Sequence, residues 1–157
     1  MRRQFLLSSC FSGCLLPLLF TLLPAHAADG PPSTADAQAM VKKAVAFIKA
    51  NGKQRSLDEI NHPKGQFVER ELYVFVLDKQ GTTLANGVNP KIVGVNVIDM
   101  KDADGKPFIR DILRVANEKG TGWFDYKWPD PVQKSVRNKS TYVEKVEDWF
   151  VCAGIYK

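Results

Sequence analysis

The sequence predicts an α+β fold, a long N-terminal helix packed on a mostly antiparallel sheet of about five strands. Three observations lead there. Met40, Val41, Ala44, Val45 and Ile48 recur at three- and four-residue spacing and give one helical face. Leu72-Tyr73-Val74-Phe75-Val76-Leu77 is a continuous apolar run rich in β-branched and aromatic residues, the pattern of a strand buried on both sides. Residues 121–156 divide into three strands joined by turns, and short turns force antiparallel pairing.

The 157 residues begin with a segment that reads as an export signal. Arg2 and Arg3 precede a mostly apolar run over residues 5–23, and Ala25-His26-Ala27 has the small-x-small pattern of a cleavage site. Ser8, Ser9, Ser12, Gly13 and Pro17 weaken the run as a permanent span. The expected organisation is a signal peptide at residues 1–27, a linker at 28–38 and a single domain at 39–157, with a periplasmic or secreted location. Cleavage would lower the formal charge from +5 to +3. That charge is spread along the chain, which argues against nucleic acid. Only Cys152 of the three cysteines would remain, so no internal disulfide is expected, and it reads as a buried small hydrophobe.

Element by element, Ser33 with Asp36 forms a capping box ahead of the first helix, and Asn51-Gly52 stops it. A short helical turn is predicted at 57–60, capped by Ser56 and ended by Asn61-His62-Pro63. The strand at 72–77 turns at Asp78-Lys79-Gln80-Gly81 and returns at 82–86. Residues 86–96 are irregular, punctuated by Gly87, Pro90 and Gly94. A second main helix starts around Asp104 and Pro107, with Phe108, Ile109, Ile112, Leu113, Val115 and Ala116 as its inner stripe and Lys119-Gly120 at its end. The last strands are predicted at 121–128, 139–146 and 149–156, with a loop at 129–137 and a tight turn at Glu147-Asp148.

Residues that usually carry chemistry are scarce. His62 would be the sole histidine after cleavage, beside Pro63 in a loop, and no Cys/His metal set or phosphate-binding glycine loop occurs. The acidic stretch from Asp99 to Gly105 fails the spacing of a calcium loop and reads as a solvated helix cap. No acid, base and nucleophile set is visible, so an enzyme is the weakest reading. No catalytic residue, cofactor or metal is expected.

The positive signal is aromatic and cationic. Phe124, Tyr126 and Trp128 share one strand face, and Trp123, Asp125 and Lys127 share the other. In the next strand Ser140 and Tyr142 share a face and Lys139 stands at its start. Ordinary cross-strand aromatic packing would account for part of this. A lysine beside a tyrosine hydroxyl, however, brings a cation and a neutral donor to one place, a sound way to hold a carboxylate in a dry pocket.

These segments resemble the single Cache domain, type 2, of bacterial extracytoplasmic sensors. The likeness runs from about Ala39 to Tyr156. It rests on Leu72 to Asp78 with Gly81-Thr82-Thr83-Leu84-Ala85, on Asn89-Pro90-Lys91-Ile92-Val93-Gly94, on Tyr126-Lys127-Trp128-Pro129, on Lys139-Ser140-Thr141-Tyr142-Val143 and on Cys152-Ala153-Gly154-Ile155-Tyr156, in that order. The resemblance implies a PAS-like fold whose concave sheet face binds small ligands, often carboxylates such as acetate, lactate or pyruvate. Carried over by residue, the ligand-binding candidates are Tyr73, Asn86, Tyr126, Trp128, Lys139 and Tyr142. Many relatives carry a histidine near the position of Asn86. Receptors of the family continue into a membrane helix and a cytoplasmic module, whereas this chain stops at Lys157, directly after its last predicted strand. The expectation is therefore an exported stand-alone module that hands its state to a membrane-bound signalling partner. The competing expectation is an interaction or dimerisation module without a ligand.

Overall fold

The computed structural model describes residues 30–157, so the expected export signal lies outside the described residues. Among the described residues no helix is long and apolar enough to cross a membrane.

Helix α1 (Thr34–Asn51) begins at the predicted box. Ser33 Oγ accepts from the Asp36 N–H, and the Asp36 carboxylate accepts from the Ser33 N–H at 2.7 Å. The helix starts five residues ahead of the domain boundary expected at 39, and Ala37 is already buried. Gly52 ends it with φ at 76°, a conformation that favours glycine, and its N–H bonds the Ile48 carbonyl at 3.0 Å. Ser33→Ala should remove the side-chain half of the box and lower stability by about 1 kcal/mol, read from the urea midpoint.

Helix α2 (Lys53–Ile60) follows at once and is longer than the single turn predicted at 57–60. Ser56 does not cap it. Its hydroxyl lies inside the helix and donates to the Gly52 carbonyl at 2.6 Å, the back-bonding that serine uses mid-helix.

Strands β1 (Val68–Glu69), β2 (Leu72–Asp78) and β3 (Thr83–Asn86) come next. A 3-10 turn at Pro90–Ile92 interrupts the irregular segment. Helix α3 (Phe108–Lys119) starts after Pro107, later than Asp104. Its buried stripe is Phe108, Ile109, Ile112, Leu113 and Ala116, while Val115 is half-buried. Strands β4 (Thr121–Pro129), β5 (Val136–Val146) and β6 (Trp149–Tyr156) close the chain.

The sheet order is β1-β2-β6-β5-β4, antiparallel throughout, with β3 on the same edge of β2 as β1. The sheet has six strands instead of about five. The extra one, β1, has two residues, too few to show any periodicity. Helix α1 covers one face, packing on Val74, Val76, Val151, Ala153 and Ile155. Helix α3 lies toward the other, over Phe75, Leu77, Val143, Phe150 and Cys152. The second face carries the site.

Candidate functional site

Strand register decides which side chains meet. Tyr126 stands opposite Lys139 across β4 and β5, and Lys139 opposite Tyr156 across β5 and β6. Side chains alternate along a strand, so these three project to the α3 side, where Tyr73 also lies. Tyr142 does not join them. It pairs with Trp123 and packs in the core beneath α1, ring centroids 5.4 Å apart. The sequence-based expectation placed it in the pocket. Lys139 and Tyr142 are three positions apart, an odd offset, and an unbroken strand sends such a pair to opposite faces.

On the α3 side a small hollow of about 30 Å³ opens among β2, β3, α3 and β4. Tyr73, Asn86, Tyr126 and Trp128, four of the expected residues, line it. Phe75, Leu77, Val97 and Ile109 supply apolar wall, and Thr83 contributes a hydroxyl. The volume suits about two water-sized groups. An outer groove of about 240 Å³ shares Tyr73, Asn86, Ile92 and Trp128 with the hollow and adds Asn89 and Pro131. Phe108 stacks on Tyr126 at 4.2 Å, and Trp128 stands 5.3 Å from Phe108, so α3 and β4 are joined by an aromatic wall.

Lys139 is 1% exposed. Its Nζ sits 3.9 Å from the centroid of the Tyr73 ring, 4.8 Å from that of Tyr156 and 3.5 Å from the Tyr156 hydroxyl. Among the described residues no carboxylate comes within salt-bridge distance of it. Lys139 does not line the hollow directly. It covers one face of the Tyr73 ring, and Tyr73 is itself part of the wall. Asp130 is the only buried carboxylate among the described residues, and it is committed elsewhere. It accepts from the Val132 and Gln133 N–H groups at 2.7 and 3.0 Å and from Arg137 at 2.6 Å.

Burial pushes the Tyr126 and Tyr156 hydroxyls up, and in both the neighbouring Tyr73 adds to it. Both therefore stay neutral donors. Tyr156 donates to the Pro129 carbonyl at 2.8 Å, and Tyr126 shares a 3.0 Å bond with Thr141. Burial also pushes the Cys152 thiol up, against a smaller opposing effect of Lys139, which leaves no reactive thiolate. For Asp130 burial works upward, but the bonds from Gln133, Arg137 and Val132 outweigh it and hold the carboxyl below the usual range. A depressed folded value contributes stability above the unfolded value of about 3.9, and the contribution is lost as pH falls through the folded value. Urea midpoints between pH 5 and pH 3 should fall less steeply for Asp130→Asn than for the wild type. Parallel curves would remove Asp130 from the acid response.

The sequence reading missed Tyr156, Thr83 and the α3 aromatic Phe108. Tyr156 was accessible in principle. The two-residue turn at Glu147-Asp148 sets Val146 opposite Trp149, and counting back sets Lys139 opposite Tyr156. Nothing local marks Thr83 or Phe108, which reach the hollow from separate elements.

A larger surface depression, about 330 Å³, is rimmed by Asp102, Asp104, Lys106, Asp125, Lys127 and Lys157 and reaches Tyr126 and Lys139. Its charges answer one another, Lys127 with Asp104 and Lys157 with Asp125, both at 2.9 Å. Lys106 donates to the Asp125 carbonyl at 2.8 Å. The inner wall of the depression, however, includes Tyr126 and Lys139, so the buried cation borders this depression as well as the Tyr73 ring.

Comparison with known proteins follows the same lines. The family model described as Single Cache domain 2 matches residues 19–157. The sensor histidine kinase MctS of Rhizobium johnstonii is 29% identical over 86 residues, 54% of this chain and 18% of that protein. The methyl-accepting chemotaxis protein McpP of Pseudomonas putida is 23% identical over 86 residues, 54% of this chain and 16% of that protein. The chain thus spans less than a fifth of the length of these curated relatives. Among solved structures, a methyl-accepting chemotaxis protein of Vibrio parahaemolyticus superposes with a TM-score of 0.68 at 23% identity, covering 78% of this chain and 86% of the other. A Cache chemosensory domain described with the structural basis of its carboxylic acid recognition gives 0.61 at 23% identity, over 78% and 86%. At these identities the structural likeness is one of fold.

Proposed function

The chain belongs to the single Cache domain 2 family of extracytoplasmic sensor domains, and from that premise we propose that it binds a small organic anion, a carboxylate of the size of acetate, lactate or pyruvate. The observation that carries this reading is Lys139, a buried cation with aromatic neighbours and, among the described residues, no carboxylate within reach, which borders the larger depression and lies against the Tyr73 wall of the hollow. Burying a cation is costly unless an anion compensates it. A bound carboxylate would supply that anion, with the hydroxyls of Tyr73 and Tyr126 as further donors. Ligand entry requires the Tyr73 ring to shift, because the hollow is small and the ring lies against Lys139. At a ceiling of about −1.5 kcal/mol per heavy atom, acetate reaches about −6 kcal/mol, or roughly tens of micromolar.

The domain would act outside the cytoplasm after removal of residues 1–27 and pass its state to a membrane-bound signalling partner. The alternative, a ligand-free interaction module, has less behind it. The exposed large apolar side chains among the described residues are Val95, Val132 and Val136, too few for an extended sticky face. A thermal-shift panel of acetate, propionate, lactate and pyruvate tests the reading. One or more should raise Tm in a dose-dependent way. No shift with any of them, together with flat calorimetric titrations, would overturn it.

A further inference from the structure

Thr83 Oγ is the one buried side-chain polar atom among the described residues with no hydrogen-bond partner. The residue is wholly buried and its side chain lines the hollow. Its backbone is fixed from both ends. The Thr83 N–H donates to the Val95 carbonyl at 3.0 Å, and the Thr83 carbonyl accepts from the Gly94 N–H at 2.7 Å. A β-branched side chain on a pinned strand has little rotational freedom left. Valine would have the same shape without an unmatched hydroxyl, so the hydroxyl costs the fold something that packing does not return.

Depth distinguishes Thr83 from the other polar wall residue. Asn86 lines both the outer groove and the hollow, whereas Thr83 lines only the hollow. Asn86 Oδ1 accepts from the Val88 and Asn89 N–H groups at 3.1 and 2.8 Å, which fixes the amide and leaves its Nδ2 without a partner among the described residues. The polar groups thus stand apart: the Lys139 ammonium behind the Tyr73 ring, an amide shared by groove and hollow, and a single hydroxyl in the hollow beside Phe75, Leu77 and Val97.

We propose that Thr83 reads an oxygen on the second carbon of the bound acid, so that the ligand class is a 2-hydroxy or 2-oxo carboxylate in preference to an unsubstituted alkanoate. The inference rests on the carboxylate reading above. The hollow admits about two water-sized groups, room for an oxygen on carbon two beside Thr83 but not for a longer chain. A hydroxyl both donates and accepts, so it serves a keto oxygen and an alcohol alike.

The test compares L-lactate and pyruvate with propionate, matched in length, by calorimetry on the full chain. Wild type should bind at least one of the oxygenated acids on the order of tenfold tighter than propionate. Thr83→Val should erase that preference while binding propionate at least as well, and Thr83→Ser should retain it. The ligand-free Tm of Thr83→Val should equal or exceed that of the wild type, which separates lost recognition from lost folding. Should that variant not fold, Thr83→Ala carries the same comparison. Equal affinities for all three acids in the wild type, or an unchanged preference in Thr83→Val, would overturn the proposal and leave the hydroxyl satisfied by solvent alone. If the acids bind without preference, only this inference fails. If none binds, the carboxylate reading fails with it.

Discussion

Lys139→Met is expected to lose carboxylate binding and to gain thermal stability at the same time. Wild-type Lys139 keeps its ammonium 3.9 Å over the Tyr73 ring with 1% exposure. Cation–π contact and one long bond to Tyr156 compensate only part of the hydration it gives up. Methionine has a similar length, no charge and the flexibility to fill the same channel. Replacing buried ionic groups with apolar ones of similar volume is often neutral or stabilising, by about 1–4 kcal/mol. Several degrees of added Tm are therefore expected in a domain of this size. Binding moves the other way. A hydrogen bond to a charged group contributes about 1.5–3 kcal/mol, so affinity should fall by roughly tenfold to more than a hundredfold. Opposite signs in the two measurements are the signature of a residue kept for its ligand. A lowered Tm with unchanged affinity would make Lys139 a structural residue instead.

Gly154→Ala is expected to destabilise the domain by about 1–3 kcal/mol and to weaken ligand binding with it. Gly154 lies in β6, the middle strand, opposite Thr141. A Cβ there would collide with Thr141 Oγ1 and come within 2.8 Å of the Ser140 carbonyl and 2.9 Å of Lys139 Cε. Two of these neighbours belong to the site, since Thr141 bonds the Tyr126 hydroxyl. The bare backbone at 154 is the passage by which Lys139 crosses β6 from β5 and reaches Tyr73 on β2. Lys139 can bend, but the Ser140 carbonyl is held in the ladder. The double variant Gly154→Ala/Lys139→Met should therefore recover only part of the loss, with a measurable coupling between the two positions. Chemical denaturation of all four proteins reads both quantities. Wild-type stability in Gly154→Ala would show that the strand has slack there.

Much of the fold was legible locally. The capping box at Ser33 and Asp36, the α1 stripe and the limits of β6 follow from spacing and turn chemistry, signals carried by neighbours along the chain. The errors fell where a competing local bond or a short element intervened. Ser56 bonds backward instead of capping, and β1 is two residues long. Of the site, residue identity was readable and facing was not. Tyr73, Asn86, Tyr126 and Trp128 were expected together and line one hollow. Tyr142 was expected with them and lies under α1. Tyr156 and Thr83 went unmarked.

The chain by itself determined its α+β class, its element order and the aromatic and cationic composition of one sheet face, because periodicity and turn residues act over a few positions. Tertiary structure alone decided that Lys139 passes over Gly154 to lie against a ring on β2, and that Thr83 presents an unmatched hydroxyl to a hollow closed by α3. Both depend on register between distant strands and on what a helix covers. Those relations are set by side-chain parity and packing across the sheet, and no window of sequence contains them.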